Sequence, residues 1–346
     1  MAIKRLIKQI LLFSIIWSAM VYAACMFLPF HYFNAEFPMW KSKLEVLADQ
    51  GEHHNFIIGD SRAIAGIDPK LLGDGYYNLA LGGGTPMEGY YMVKKMLANN
   101  KRIDTIVVSY APLHFEQSEM FWDRQLKYGF YNPSDIQEIF NDLNIENELF
   151  WNYDGETVYD ESDRYGYMQK AYLNYYKFPM QLRPELSKSL LLRGYTNYNV
   201  YSEIKSRRGS YDFGRAKESH DLNVEARRQT FRPKQIISKS LEMLFDLAKN
   251  NDIKVMYSMM PMNKASFMVL SEAYRDGVIR FEENLRVNYP EVEFWSSPLS
   301  YYEDSLFGDS SHLNKLGRQK YTLELKAHLS QGHSAQKAPV TSIQFD

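Results

Sequence analysis

The sequence predicts an α/β fold: a doubly wound parallel sheet flanked by helices, with a large, mostly helical insertion and an N-terminal transmembrane helix. Three observations carry this expectation. Short apolar runs that end in turn residues alternate with amphipathic stretches at helical spacing, the pattern of strand–helix–strand units. That alternation stops between about residues 113 and 232 and then resumes. An uncharged run, "ILLFSIIWSAMVYAACMFLPF" at 10–30, stands near the start of the chain.

The first element is that apolar run. Its length matches the ~20 residues that cross a bilayer as a helix. Lys4, Arg5 and Lys8 precede it, and no acid appears until Glu36. Basic residues on the N-terminal flank stay in the cytoplasm, which puts the rest of the chain outside. Two other fates compete with a retained anchor. "YAA" at 22–24 offers a small-residue cleavage site, and Cys25 a position for a lipid. Cys25 is the one cysteine of the chain, so no intramolecular disulfide forms.

Residues 1–31 thus read as a cytoplasmic N-terminus and anchor, and 32–50 as an amphipathic juxtamembrane link. The α/β domain takes up 51–329. "HNFIIGD" at 54–60 is a buried strand, and "YYNLALGGG" at 76–84 a second. "TPMEGYYMVKKMLANN" at 85–100 has the start signals of a helix: Thr85 as N-cap, Pro86 at the first position and Glu88 completing a capping box. "IDTIVVSYAP" at 103–112 is the third strand. After the insertion come a helix at 233–250, a strand "IKVMYSMMP" at 253–261, a helix over 264–288, a strand "EVEFWSS" at 291–297 and a last helix at 312–329. The polar tail, 330–346, reads as disordered.

Composition narrows the function. Among 346 residues the net charge is −2, which excludes a dedicated nucleic-acid binder, because neutralising phosphates needs a clear excess of Lys and Arg. The chain holds 26 Tyr, 20 Phe and 5 Trp, a content that suits sugar faces and equally the packing of a large helical surface. Metal and phosphate signals are weak. His53 and His54 are adjacent, so on a strand they point to opposite faces. "DLNIENE" at 142–148 lacks the glycine of a calcium loop. Gly84 and Gly89 have the spacing of a phosphate loop, but Tyr90 and Tyr91 replace its Lys and Ser/Thr. No metal or cofactor is expected. Arg207, Arg208 and Arg215 form a basic cluster that reads as a solvated face, with an anionic glycan as the alternative ligand.

The chemistry concentrates on Ser61. It directly follows the first strand, and ligands of parallel α/β sheets bind at the C-terminal strand ends. A serine needs a base in hydrogen-bond reach, and the base needs a group to orient it. His312 lies just before the last helix, with Asp309 three residues ahead of it in "GDSSHLNKLG". His114, after the third strand, also stands near that edge and reads as a hydrogen-bonded or surface histidine.

"GDSR", "NLALGGGTP" and "GDSSHLNKLG" resemble the blocks of the SGNH (GDSL-type) hydrolase superfamily, over residues 54–112 and 234–328. They resemble in particular its membrane-anchored cell-envelope branch, which includes the teichoic acid D-alanylation protein and alginate O-acetylation proteins. The resemblance implies a flavodoxin-like SGNH fold, with Ser61 as nucleophile, His312 as base and Asp309 as its orienting partner. It implies Gly83 as an oxyanion donor beside the N–H of Ser61. The family's third block, G-x-N-D, is absent. The third strand ends in "VVSYAPLHF", which leaves Arg62, Ser109 and Tyr110 as candidates to replace the missing Asn.

The function so implied is serine-dependent O-acyl transfer, most simply of acetyl, on a cell-envelope polysaccharide. The domain would be periplasmic or extracellular on a single-pass anchor in the bacterial inner membrane. Its partners would be the glycan and a multispanning membrane O-acyltransferase. Two alternatives stand beside it: an esterase or deacetylase of an envelope glycan, and a non-catalytic glycan-binding or scaffolding subunit.

Overall fold

The computed structural model describes residues 2–27, 34–49, 51–118, 120–126, 128–143, 148–150, 190–214 and 216–331. The chain divides into two compact units. One comprises 1–45 and 118–203, the other 46–117 and 204–346.

The second unit is the α/β domain. Its strands are β1 (Asn55–Gly59), β2 (Tyr76–Asn78), β3 (Thr105–Tyr110), β4 (Lys254–Met259) and β6 (Glu293–Phe294), all parallel, in the order β2-β1-β3-β4-β6. A separate parallel pair joins β5 (Met262–Asn263) to β7 (Tyr301–Tyr302). β1 and β3 run in opposite winding directions from their shared boundary, so a crevice opens beyond their C-terminal ends. Phe56, Ile57, Ile58, Ile106, Val107 and Val108 are buried on these central strands, which explains their unbroken apolar runs.

Helices of the same unit cover both faces of the sheet. Among the described residues of the two units the α-helices, in chain order, are α1 (Ala2–Phe27), α2 (Phe37–Ala48), α3 (Ser61–Gly66), α4 (Pro69–Leu72), α5 (Pro86–Ala98), α6 (Pro133–Glu138), α7 (Leu190–Ser206), α8 (Gln235–Lys249), α9 (Lys264–Met268), α10 (Glu272–Asn288) and α11 (Lys315–Gln331). α5 packs on α8, and α11 packs on α3 and α4. Side chains alternate accordingly. Tyr110 Oη donates to the carbonyl of Thr85 under α5, at 2.9 Å, and Tyr257 meets Phe245 of α8 edge-on. Ser109 and Ser258 point the other way, to Tyr321 of α11.

α5 starts as its sequence demands. Glu88 accepts from the backbone N–H of Thr85 at 2.6 Å and from its hydroxyl at 2.8 Å. Two other elements differ from expectation. The helix expected over 264–288 is two helices, because the Ser271 hydroxyl accepts from the N–H of Tyr274 at 3.1 Å and starts α10 afresh. α3 and α4 are additional, each capped by an aspartate, Asp60 or Asp68.

Of the insertion expected over 113–232, residues 118–203 group with 1–45, and the rest belongs to the α/β unit. Residues 113–117 continue the third strand's turn, and the described residues of 207–232 hold no α-helix, only a single 3₁₀ turn at Glu225–Arg227. The other unit is held by aromatic packing. Trp40 is fully buried between Tyr128 and Phe130, and Phe121 lies against Tyr131 and Phe140. Part of "DLNIENE", Arg215 and the tail beyond 331 lie outside the described residues.

The run expected to cross the membrane is described only in part. α1 covers most of the apolar run, yet among the described residues no helix is long and apolar enough to cross a membrane. Side chains of α1 are described only up to Met20, so the described apolar stretch, 10–20, is shorter than the ~20 residues a bilayer needs. The positions of the cleavage and lipidation alternatives, 22–25, fall beyond it.

Candidate functional site

Ser61 is placed by the end of β1. The strand closes at Gly59, where a Cβ would stand 2.0 Å from the carbonyl oxygen of Ser109, so only glycine fits. Asp60 then caps α3, its Oδ1 accepting from the N–H of Arg62 at 2.7 Å. Ser61 is thereby the first residue of the helix. The other oxygen of Asp60 accepts from the N–H of Ala111 at 2.6 Å, which ties this corner to the end of β3.

His312 and Asp309 are placed by a tight turn. Asp309 Oδ1 accepts from the backbone N–H groups of Ser311 at 2.8 Å and His312 at 2.7 Å. The Gly308 N–H donates to the carbonyl of His312 at 2.8 Å and closes the turn. Gly308 lies flat on Gly214: a Cβ on either would come within 2.4 Å of the other's backbone. Asn314 then caps α11, accepting from the N–H groups of Leu316 and Gly317.

These placements bring the three residues together. Ser61 Oγ lies 2.9 Å from His312 Nε2, and His312 Nδ1 lies 2.8 Å from Asp309 Oδ2. Partial burial opposes ionisation of Asp309, but the bonds from the His312 ring and the two backbone N–H groups outweigh it and hold its carboxyl below the usual range. An ionised carboxylate only accepts, so Nδ1 carries the proton in the neutral ring. Nε2 is then the acceptor, and Ser61 donates to it. The arrangement can take a proton from Ser61 as its oxygen attacks, and Asp309 can stabilise the imidazolium that forms. Phe213 stacks on the ring at 4.7 Å between centroids.

The remaining sequence candidates separate. Gly83 lies in the turn after β2, with φ of 70°, a left-handed conformation that favours glycine. That turn runs along the end of β1, because Leu81 N–H donates to the carbonyl of Gly59 at 2.9 Å. Gly83 is therefore at the expected edge. Arg62, Ser109 and Tyr110 face away from it. The Arg62 guanidinium is buried in an ion pair with Glu225 at 2.5 Å. Burial disfavours its charge, but the Glu225 and Asp60 carboxylates more than restore it. Ser109 is fully buried with Ser258 and Tyr321, and the Tyr110 hydroxyl is engaged by Thr85. All three have spent their polar groups on the interior: Arg62 on Glu225, and Ser109 and Tyr110 because on β3 the side chains project onto the two sheet faces rather than beyond the strand end. Arg207 and Arg208 are paired with Asp212 and Asp74.

Two neighbours escaped the sequence reading. Glu225 and Phe213 lie in the irregular stretch 207–232, with no periodicity to flag them. Of the two expectations for His114, the hydrogen-bonded one holds: the ring is buried, with Nδ1 at 2.8 Å from Gln117 Nε2 and Nε2 at 3.4 Å from Asp60 Oδ2. Among the described residues no group of three or more His, Cys, Asp or Glu is arranged to hold a metal ion.

No protein-family model matches the sequence, and none of the curated proteins is detectably similar to it.

Proposed function

We propose that the protein is a serine-dependent O-acyltransferase of the SGNH type, acting outside the cytoplasm on a cell-envelope polysaccharide. The observation that carries this reading is the continuous chain from Ser61 through His312 to Asp309 at the β1–β3 crevice. The strand order β2-β1-β3-β4-β6 is that of a flavodoxin-like sheet, which supports the resemblance in "GDSR" and "GDSSHLNKLG".

In this mechanism Ser61 Oγ attacks the acyl carbonyl while its proton passes to His312 Nε2. The tetrahedral oxyanion is held by the N–H groups of Ser61 and Gly83. Its collapse expels the donor's alcohol or thiol, which takes the proton from His312. A glycan hydroxyl then gives its proton to His312 and attacks the acyl-serine, and collapse of the second intermediate expels Ser61 Oγ, which takes that proton back from His312. The partner that supplies acyl groups is a multispanning membrane O-acyltransferase. The chain is held beside it by the N-terminal helix. Lys4, Arg5 and Lys8 ahead of the apolar run support that anchor, as do the outward-facing Leu12, Phe13, Ile15 and Trp17 of α1.

The test is made on the envelope glycan. A strain lacking the protein should lose glycan O-acylation, and a Ser61→Ala copy should fail to restore it. Excess acylation in the deletion strain would favour an esterase. Full restoration by Ser61→Ala would leave the scaffolding role.

A further inference from the structure

Beneath Ser61 lies a polar group that the proposed chemistry does not use. His114 sits in the 3₁₀ turn Pro112–Phe115 that follows β3, and its side chain is 7 % exposed. Its two ring nitrogens have different partners. Nδ1 lies 2.8 Å from Gln117 Nε2, an amide nitrogen that can only donate, so Nδ1 is the acceptor. The ring proton is then on Nε2, which lies 3.4 Å from Asp60 Oδ2. A carboxylate facing Nε2 selects the same tautomer independently. Burial lowers the basicity of the ring, against the pull of Asp60, so the ring is neutral and carries that single proton. At 3.4 Å this is an electrostatic contact rather than a short hydrogen bond, but it acts in a buried setting where such contacts are strengthened.

Asp60 connects His114 to Ser61. Its side chain is completely buried, and its oxygens accept from the N–H of Arg62 on one side and of Ala111 on the other. Ser61 lies between the capping residue and the first N–H it binds. A rotation of the Asp60 carboxylate therefore moves the backbone that carries Ser61 Oγ relative to His312.

We infer that His114 is a positioning residue for Ser61, its Nε2–H holding the Asp60 carboxylate in the orientation that caps α3 and binds the end of β3. This rests on the acyl-serine reading, since the position of Ser61 matters to a rate only if Ser61 reacts.

The experiment measures labelling of the full chain by a fluorophosphonate over a range of probe concentrations. It compares wild type with His114→Gln, His114→Leu, His114→Asn and Ser61→Ala. Gln places an amide N–H where Nε2 stood. Leu has no donor, and Asn keeps polarity but reaches only the Nδ1 position. His114→Leu and His114→Asn should lower the rate at saturating probe by on the order of 10-fold, with the half-saturating concentration little changed. His114→Gln should stay within about threefold of wild type. Having both Leu and Asn keeps the comparison intact if one of them fails to fold. A saturating rate in Leu or Asn equal to wild type overturns the inference, as does a Gln rate as low as theirs. Wild type that is not labelled, or is labelled no differently from Ser61→Ala, overturns the acyl-serine reading and this inference with it.

Discussion

Ser61 and His312 face each other at 2.9 Å, but the regions behind them are built by opposite means. Behind Ser61 the structure is buried and ionic. Asp60, Arg62, His114 and Glu225 all lie in the interior, and the Arg62–Glu225 pair is sealed from solvent on both sides. Behind His312 the structure is a surface turn. The Asp309 side chain is 40 % exposed, and the turn is set by backbone N–H groups, the flat contact of Gly308 with Gly214 and the ring of Phe213. One segment, 207–232, touches both sides, through Glu225 and through Phe213. The nucleophile is fixed by the core of the fold, whereas the base is fixed by a loop. Damage to the buried ion pair on the first side should appear as lost stability, damage on the second as lost activity, and loss of the His114 contact to Asp60 as a smaller loss of rate.

The largest break in that comparison comes from Asp309→Asn. The tautomer of His312 is then no longer enforced, and labelling of Ser61 should slow by about 10³–10⁴-fold. Its unfolding midpoint should change little, because the side chain is substantially exposed. Activity near wild type would mean that Asp309 does not orient the ring.

Glu225→Leu should show the reverse balance. It leaves Arg62 charged and unpaired in the interior, a change that costs about 3–5 kcal/mol of stability by denaturant unfolding. A stability equal to wild type would show that the pair is not sealed as described. Next in size is Phe213→Leu, which removes the ring stacked on His312. A loss of about 1 kcal/mol in labelling barrier is expected, with a smaller change in stability.

The smallest effect is on pH dependence. The Asp309 carboxyl is held below the usual range in the folded chain, so its contribution to stability is present above that range and is lost as pH falls through its lowered value. The difference in unfolding free energy between wild type and Asp309→Asn should therefore shrink on acidification. Glu282 shifts the other way. Burial raises its carboxyl to about 7, despite the opposing pull of Arg286. Its contribution is fully present at low pH and is lost as pH rises toward 7, and Glu282→Gln should flatten that decline.

The sequence was most legible where a local pattern had a single physical solution. The apolar runs at 56–58 and 106–108 had to be buried strands, and Thr85-Pro86 with Glu88 had to start a helix. Asp309-x-x-His312 was legible because three residues suffice for a turn to fold a carboxylate onto a ring. The short α3 and α4 were not legible, since six and four residues are too few to show helical periodicity. Arg62 was misread for a different reason. An arginine beside a nucleophile is a natural candidate to replace the missing Asn, but its destination depends on Glu225, 163 residues away. No local signal reports such a partner. Phe213 and Glu225 lie in irregular backbone, where burial has no repeat to reveal it.

The most direct test of the account is chemical. Purified full-length protein is treated with a fluorophosphonate, digested, and the modified residue is located by mass spectrometry. A single adduct is expected on the peptide that carries Ser61, absent in Ser61→Ala and strongly reduced in His312→Ala. An unmodified Ser61 in folded wild-type protein would contradict it, as would an adduct that forms equally well without His312.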